Sequence, residues 1–360
     1  MSQEMARTDT EIAAILDGAD VWEMTLPWLP IYWDMDVLAS YHAAGYTFVS
    51  ATLQDWPPTF DGTVRCVNRF KAAAAAASDW LTFGSSLAEI ETGRGQGKLV
   101  IGLNSQETLP IGEDLSRIEA LYALGVRHML LAYNVRNLVA DGCAESSNAG
   151  LSNYGRQVVS EMSRTGMVVD CAHTGRRSSL EAIELSSSPV IFSHANPYAI
   201  CEHIRNLHDD QILACAKRGG VIGVVGVGAY LGDEQARTET VFRHIDYLCE
   251  IAGPQAVGLG TDYVKILPVA RHEARWTAAS DDADTRSWPQ AQNAWPDPTG
   301  KQLLVENTRC FAPSQLHELI GMMHARGYST ANIRDILGRN FCRVYQAAER
   351  RRETGRSQTP

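Results

Sequence analysis

Short runs of β-branched and aliphatic residues alternate along the chain with longer stretches in which apolar positions recur every three to four residues. That is the rhythm of strands joined by helical crossovers. Eight runs read as strands. The first and weakest lies near Ile12–Val21, and the others are Thr47–Leu53, Lys98–Asn104, Arg127–Tyr133, Met167–His173, Pro189–His194, Gly220–Val227 and Ala256–Asp262. Helical segments fill the gaps: Leu115–Leu124 runs into Gly125, and Asp209–Arg218 into Gly219 and Gly220, residues that end a helix at little cost in the left-handed conformation. Arg176–Ser186 behaves alike. Eight strand-and-helix units predict a closed (β/α)8 TIM barrel, whose interior is packed and whose chemistry sits at the carboxyl ends of its strands.

Two segments break the rhythm. Residues 264–300 are rich in Asp, Ala and Pro and carry Trp276, Trp288 and Trp295, which predicts a lid-like insertion after the last strand. Residues 350–360 are polar and charged and are expected to form a flexible tail, so that a single barrel domain spans 1–349. The 360 residues are 45% hydrophobic and 21% charged, a globular balance that excludes a disordered chain. A formal net charge of −10 leaves no broad basic surface for nucleic acid or an anionic membrane. The longest apolar runs, such as Val221–Val227, fall far short of the ~20 residues that a membrane-spanning helix requires. The acidic N-terminus lacks the basic-then-apolar profile of a secretory signal, so a cytoplasmic location is expected. Eight cysteines without a C-x-x-C pair signal neither a zinc ribbon nor a disulfide framework and are expected as free thiols.

The strand ends deliver a concentrated set of polar groups: Asn104, Tyr133, His173, His194 and Asp262. A lone histidine is more often a hydrogen-bonded structural residue than a ligand. Two at the ends of successive parallel strands, ~4.8 Å apart and facing an aspartate, point to a shared divalent metal. Arg205, in a loop just after the sixth strand, has a planar fork suited to a substrate carboxylate. The other histidines, His128 among them, fall in presumed helices, strand starts or loops, where a solvated or capping role is the default.

Several segments carry a resemblance to a known family: Val169–His173, Ser187–His194, Arg205-Asn206, Val257–Asp262 and the closing Arg326–Val344. In this order they resemble the membrane (renal) dipeptidase family, the M19-type zinc peptidases of the amidohydrolase superfamily, over most of residues 97–346. The resemblance implies an amidohydrolase-like barrel and a homodimer. It also implies two zinc ions sharing a bridging glutamate. One ion would take His173 and His194; the other would take a His-x-Asp pair on strand one and Asp262, which also handles a proton. Arg205 would bind the substrate's terminal carboxylate. The sequence departs from that pattern at four places. Asp17-Gly-Ala-Asp-Val21 puts Ala19 and Val21 where the strand-one ligands belong, Asn104 stands for the bridging glutamate, and Tyr133 for a histidine that stabilises the tetrahedral intermediate. Asp20 or Glu23 would restore a carboxylate by a shift of register.

Two dications with one clearly placed carboxylate would leave surplus charge in a partly buried site. One zinc or similar ion is therefore expected, on His173 and His194 with Asp262 or Asn104, and two ions or none are the alternatives. The reading is a metal-dependent hydrolase cleaving a dipeptide or small N-acyl amino acid. Asp262 would shuttle the proton, Tyr133 would donate to the oxyanion, and Arg205 and Asn104 would bind a carboxylate-bearing substrate. The alternatives are an isomerase, tautomerase or lyase acting on an amino-acid-derived compound, and a binding homologue without catalysis.

Overall fold

The computed structural model describes residues 10–27, 34–53, 58–264 and 309–356. Nine parallel strands form one sheet: β1 (Trp22–Leu26), β2 (Phe48–Leu53), β3 (Leu81–Phe83), β4 (Leu99–Ser105), β5 (Val126–Leu130), β6 (Val168–Asp170), β7 (Ile191–Phe192), β8 (Val221–Val224) and β9 (Val257–Leu259). Along the sheet the order is β1-β2-β4-β5-β6-β7-β8-β9, and β3 pairs with β4. Helices follow the strands, as right-handed crossovers require. This is a distorted (β/α)8 barrel.

Seven of the eight expected strands are found within a few residues of their anticipated bounds. The first is not. Residues 10–16 are helical, with Ile12 and Ile15 buried on one side at helical spacing, and β1 begins only at Trp22. The short β3 was not anticipated; its three residues pair with Leu99, Val100 and Ile101 at the start of β4, while β5 takes the end of β4 from Leu103 onward. Gly125 ends the helix Ser116–Leu124 at φ 113°, as its place in the sequence predicts.

Trp22, Phe48, Val100, Val168, Ile191 and Val221, near the starts of six strands, gather around Phe341, Val344 and Tyr345 of the last helix, Asn340–Arg356. This helix closes the floor of the barrel. A Cβ at Gly258 would lie 2.2 Å from the Phe341 ring, so β9 accepts the plug only with glycine there. The helix continues through Arg356, into the segment expected as a flexible tail, because Arg352 bonds the Thr165 carbonyl and pairs with Glu119. The anticipated lid lies, apart from Val264, outside the described residues. Among the described residues no helix is long and apolar enough to cross a membrane. The eight cysteines are free thiols.

Candidate active site

His173 and His194 follow β6 and β7 directly, and the parallel pairing of those strands brings the two imidazoles together. Their Nε2 atoms stand 2.8 Å apart, with both rings buried. His173 Nδ1 bonds the Asn134 side-chain oxygen at 2.7 Å; His194 Nδ1 meets Ser193 Oγ at 2.8 Å and Thr25 Oγ1 at 3.1 Å. Burial, reinforced by the Arg205 guanidinium, pushes the His194 pKa down to about 3 and that of His173 well below the usual range. Both rings are therefore neutral. Asn134, His173 and Asp262 all hold φ between 54° and 59°, a left-handed conformation that non-glycine residues rarely adopt and that clusters at functional sites.

One carboxylate sets this geometry. Asp170 Oδ1 accepts from the backbone N–H groups of Ala172 and Ser193, each at 3.0 Å and each immediately preceding one of the two histidines. Its Oδ2 bonds His128 Nδ1 at 3.0 Å, and His128 Nε2 meets Ser50 Oγ at 2.9 Å. Burial alone would raise the Asp170 pKa; the bond to His128 and its charge outweigh that and hold it below the usual carboxylate range. His128, expected in a solvated or capping role, is a fully buried member of this interior set, because β5 turns it toward Ser50 and Asp170.

Arg205 is 3% exposed, which is unusual for an arginine. Its Nη2 donates to the His194 carbonyl at 3.3 Å and its guanidinium carbon lies 5.6 Å from the Tyr230 ring centre, yet its Nε is buried without a partner. Burial pushes the Asp262 carboxyl up to about 6, against the opposing pull of Arg205. Tyr133 stacks on His173 with ring centres 3.9 Å apart, and burial holds its hydroxyl protonated far above neutrality. Tyr133, Tyr230 and Asp262 each respond to the Arg205 charge, so these groups lie within electrostatic reach of one guanidinium.

The remaining expected positions are filled differently. Ala19 and Val21 precede β1, so they are not the strand-one positions. The i, i+2 pair on β1 that contacts the other strand ends is Glu23 and Thr25. Glu23 Oε1 accepts from the N–H of Thr25 at 3.0 Å and of Thr261 at 2.8 Å, and Oε2 from Thr261 Oγ1 at 2.6 Å, bridging β1 to the segment after β9. Burial pushes this carboxyl up to about 7, with the threonine bonds opposing. Asn104 donates from Nδ2 to the carbonyl and hydroxyl oxygens of Ser50, at 2.9 and 3.0 Å, and accepts from Thr52 Oγ1 at 3.2 Å. The sequence reading did not single out Thr25, Asn134, Asp170, Ser193 or Tyr230. Of these only Asp170 carried a signal, a carboxylate in the middle of an apolar strand.

Zinc in a catalytic site takes three protein ligands and an open position. Among the described residues no three His, Cys, Asp or Glu side chains are grouped to hold a metal ion. His173 and His194 supply two nitrogen donors, which falls short of that requirement. The donor set as it stands does not fit zinc.

Comparison with known proteins agrees with this architecture. The family model described as membrane dipeptidase (peptidase family M19) matches residues 28–273, more than half of the chain. An amidohydrolase from Pseudomonas aeruginosa superposes with a TM-score of 0.78 at 24% identity, over 94% of this chain and 98% of that one. A metallo peptidase from Rhodobacter sphaeroides, solved with a phosphinate mimic of the dipeptide L-Ala-D-Ala, superposes with a TM-score of 0.70 at 16% identity, over 92% and 99% of the two chains. An uncharacterized dipeptidase of Schizosaccharomyces pombe is 33% identical over 177 residues, 47% of this chain and 42% of that protein's length. The fold is that of the amidohydrolase superfamily. Within it, this chain belongs to the M19 membrane dipeptidase family.

Proposed function

We propose that the chain hydrolyses the amide bond of a compact substrate that carries a free carboxylate, a dipeptide or a small N-acyl amino acid. The observation that carries this reading is Arg205, a guanidinium buried beside Tyr230 and within electrostatic reach of Asp262, whose Nε has no hydrogen-bond partner. A buried N–H without a partner costs about 1–3 kcal/mol. A carboxylate accepting from Nε and a neighbouring Nη would remove that cost and anchor the substrate at one end. Membership in a family described as dipeptidases supports an amide as the bond attacked.

Asp262, poised near pH 6, is suited to take a proton from the attacking water and return it to the leaving amine. The buried Tyr133 hydroxyl, protonated at any working pH, is suited to donate a hydrogen bond to the developing oxyanion. The test is incubation with a library of dipeptides and N-acyl amino acids, each paired with its C-terminal amide. The free acids should release amines and the amides should not. Equal turnover of both sets would refute the role of Arg205, and silence with every acid would refute the hydrolase.

The direct bond between His173 and His194 favours a second reading, proton transfer beside a carbonyl by an isomerase, tautomerase or lyase. Solvent deuterium entering an intact acid substrate would support it over hydrolysis.

A further inference from the structure

We propose that this chain is a metal-independent member of its family, in which His173 and His194 are joined to each other through a shared proton in place of a metal ion. The donor chemistry decides between the two states, and the distance accords with it. Two nitrogens bound to one tetrahedral zinc at ~2.0–2.1 Å must stand about 3.3 Å apart. The observed 2.8 Å is the separation of a hydrogen bond.

The partners fix where the proton lies. Asn134 presents its Oδ1 to both His173 Nδ1, at 2.7 Å, and Cys143 Sγ, at 3.3 Å. His173 Nδ1 therefore carries a hydrogen and donates it, leaving the Nε2 of this neutral ring as a lone pair. His194 meets two hydroxyls at Nδ1, both able to donate, and its proton sits on Nε2, directed at His173. Every nitrogen of the pair is thereby used.

The positions that would complete a metal centre are spent as well. Glu23 has both oxygens engaged by backbone and hydroxyl donors at the seam between β1 and the end of β9. Thr25 offers a neutral hydroxyl and places it on His194 Nδ1, and Asn104 has both amide hydrogens and its oxygen bonded inside the barrel. The Arg205 guanidinium, bonded to the His194 carbonyl, adds a fixed positive charge beside the imidazoles. A dication would enter against that charge with two neutral ligands to hold it, since among the described residues no carboxylate, Asp262 included, is grouped with the two imidazoles, whereas the shared proton satisfies the pair without added charge.

The experiment is elemental analysis of the full chain, expressed with excess zinc and passed through gel filtration, beside imidazole nitrogen NMR of the same sample. The expected result is zinc far below one equivalent, with a nitrogen–nitrogen coupling across the His173–His194 hydrogen bond. One or more equivalents of zinc retained, or metal-shifted imidazole signals without that coupling, would overturn the proposal. The triple variant Glu23→His, Thr25→Asp, Asn104→Glu restores the family's ligand types; retention of zinc by it and not by the parent would support the proposal. Because the readout is metal content and not turnover, the outcome is separate from the substrate reading. Amide cleavage by zinc-free protein would uphold both, and zinc-free protein inert on every acid would overturn only the hydrolase.

Discussion

Replacing Asp170 with alanine removes one side chain that holds three groups at once: the N–H groups of Ala172 and Ser193 and the imidazole of His128. All lie in the buried interior, so no water takes their place. Each buried group left unpaired costs about 1–3 kcal/mol, which puts the expected loss at roughly 3–9 kcal/mol, a large part of a typical domain's stability. Asp170→Asn is the informative companion, because its side-chain oxygen can still accept from both N–H groups while its amide faces His128. It should cost about half as much. Urea titration of the full chain, followed by fluorescence of its tryptophans, measures both. At constant m-value, a loss below about 1 kcal/mol for Asp170→Ala would refute the claim that one carboxylate sets the two histidines. Near-equal losses for the two variants would assign the effect to the His128 contact instead. The same variants should separate in catalysis, with Asp170→Asn retaining turnover that Asp170→Ala loses, since only the former keeps the backbone ahead of both histidines in place.

Arg205→Met should raise KM for an acid substrate about 100-fold, the worth of ~3 kcal/mol of charge-assisted binding, with a smaller change in kcat; steady-state kinetics reads both. Asp262→Asn should abolish turnover while leaving the thermal melt near that of the parent, since burial already disfavours the charged carboxylate that the amide replaces. Gly260→Ala would place a Cβ 1.7 Å from the Ser193 carbonyl oxygen and should cost several kcal/mol, seen as a fall in Tm. Asp141 is held near pKa 2 by Arg136, with Ser147 and Ala149 also donating, and so ties the loop that carries Asn134 and Cys143. A carboxyl lowered on folding stabilises above its unfolded value. Protection of that loop from hydrogen exchange should therefore fall as pH drops from about 4 to 2, and Asp141→Asn should show no such dependence.

The barrel was legible because β2 and β4 to β9 are apolar runs bounded by turn residues, and helix stops such as Gly125 behave as their type dictates. The first strand was misread because its residues alternate in chemistry: Trp22 and Met24 are apolar, Glu23 and Thr25 polar, whereas the preceding Ile12, Ile15 and Leu16 look more strand-like and pack as a helix. That shift of a few residues moved the expected ligand positions off the strand. β3 is three residues long, too short for periodicity to mark. His173, His194 and Arg205 were singled out because their residue types are rare at strand ends and suit a metal or a carboxylate. Ser193, Thr25 and Asn134 were not, since hydroxyls and amides occur everywhere, and only the folded geometry shows that they meet an imidazole. His128 was given a solvated or capping role by default, and its burial follows from the pairing of β5 with β6, which no local pattern encodes.

The last helix has a consequence for how the molecule is made. Phe341, Val344 and Tyr345 complete the packing beneath six strands, and Glu23 on β1 meets its two Thr261 donors only after β9 has been reached. During synthesis the ribosome delivers β1 first and these partners last. The emerging polypeptide must therefore keep Trp22, Phe48 and Val100 from sticking to neighbours until some three hundred further residues have followed β1 out of the exit tunnel. Truncation near the C-terminus would yield an aggregating product, and a chaperone that shelters the unfinished barrel would raise the yield of the intact one.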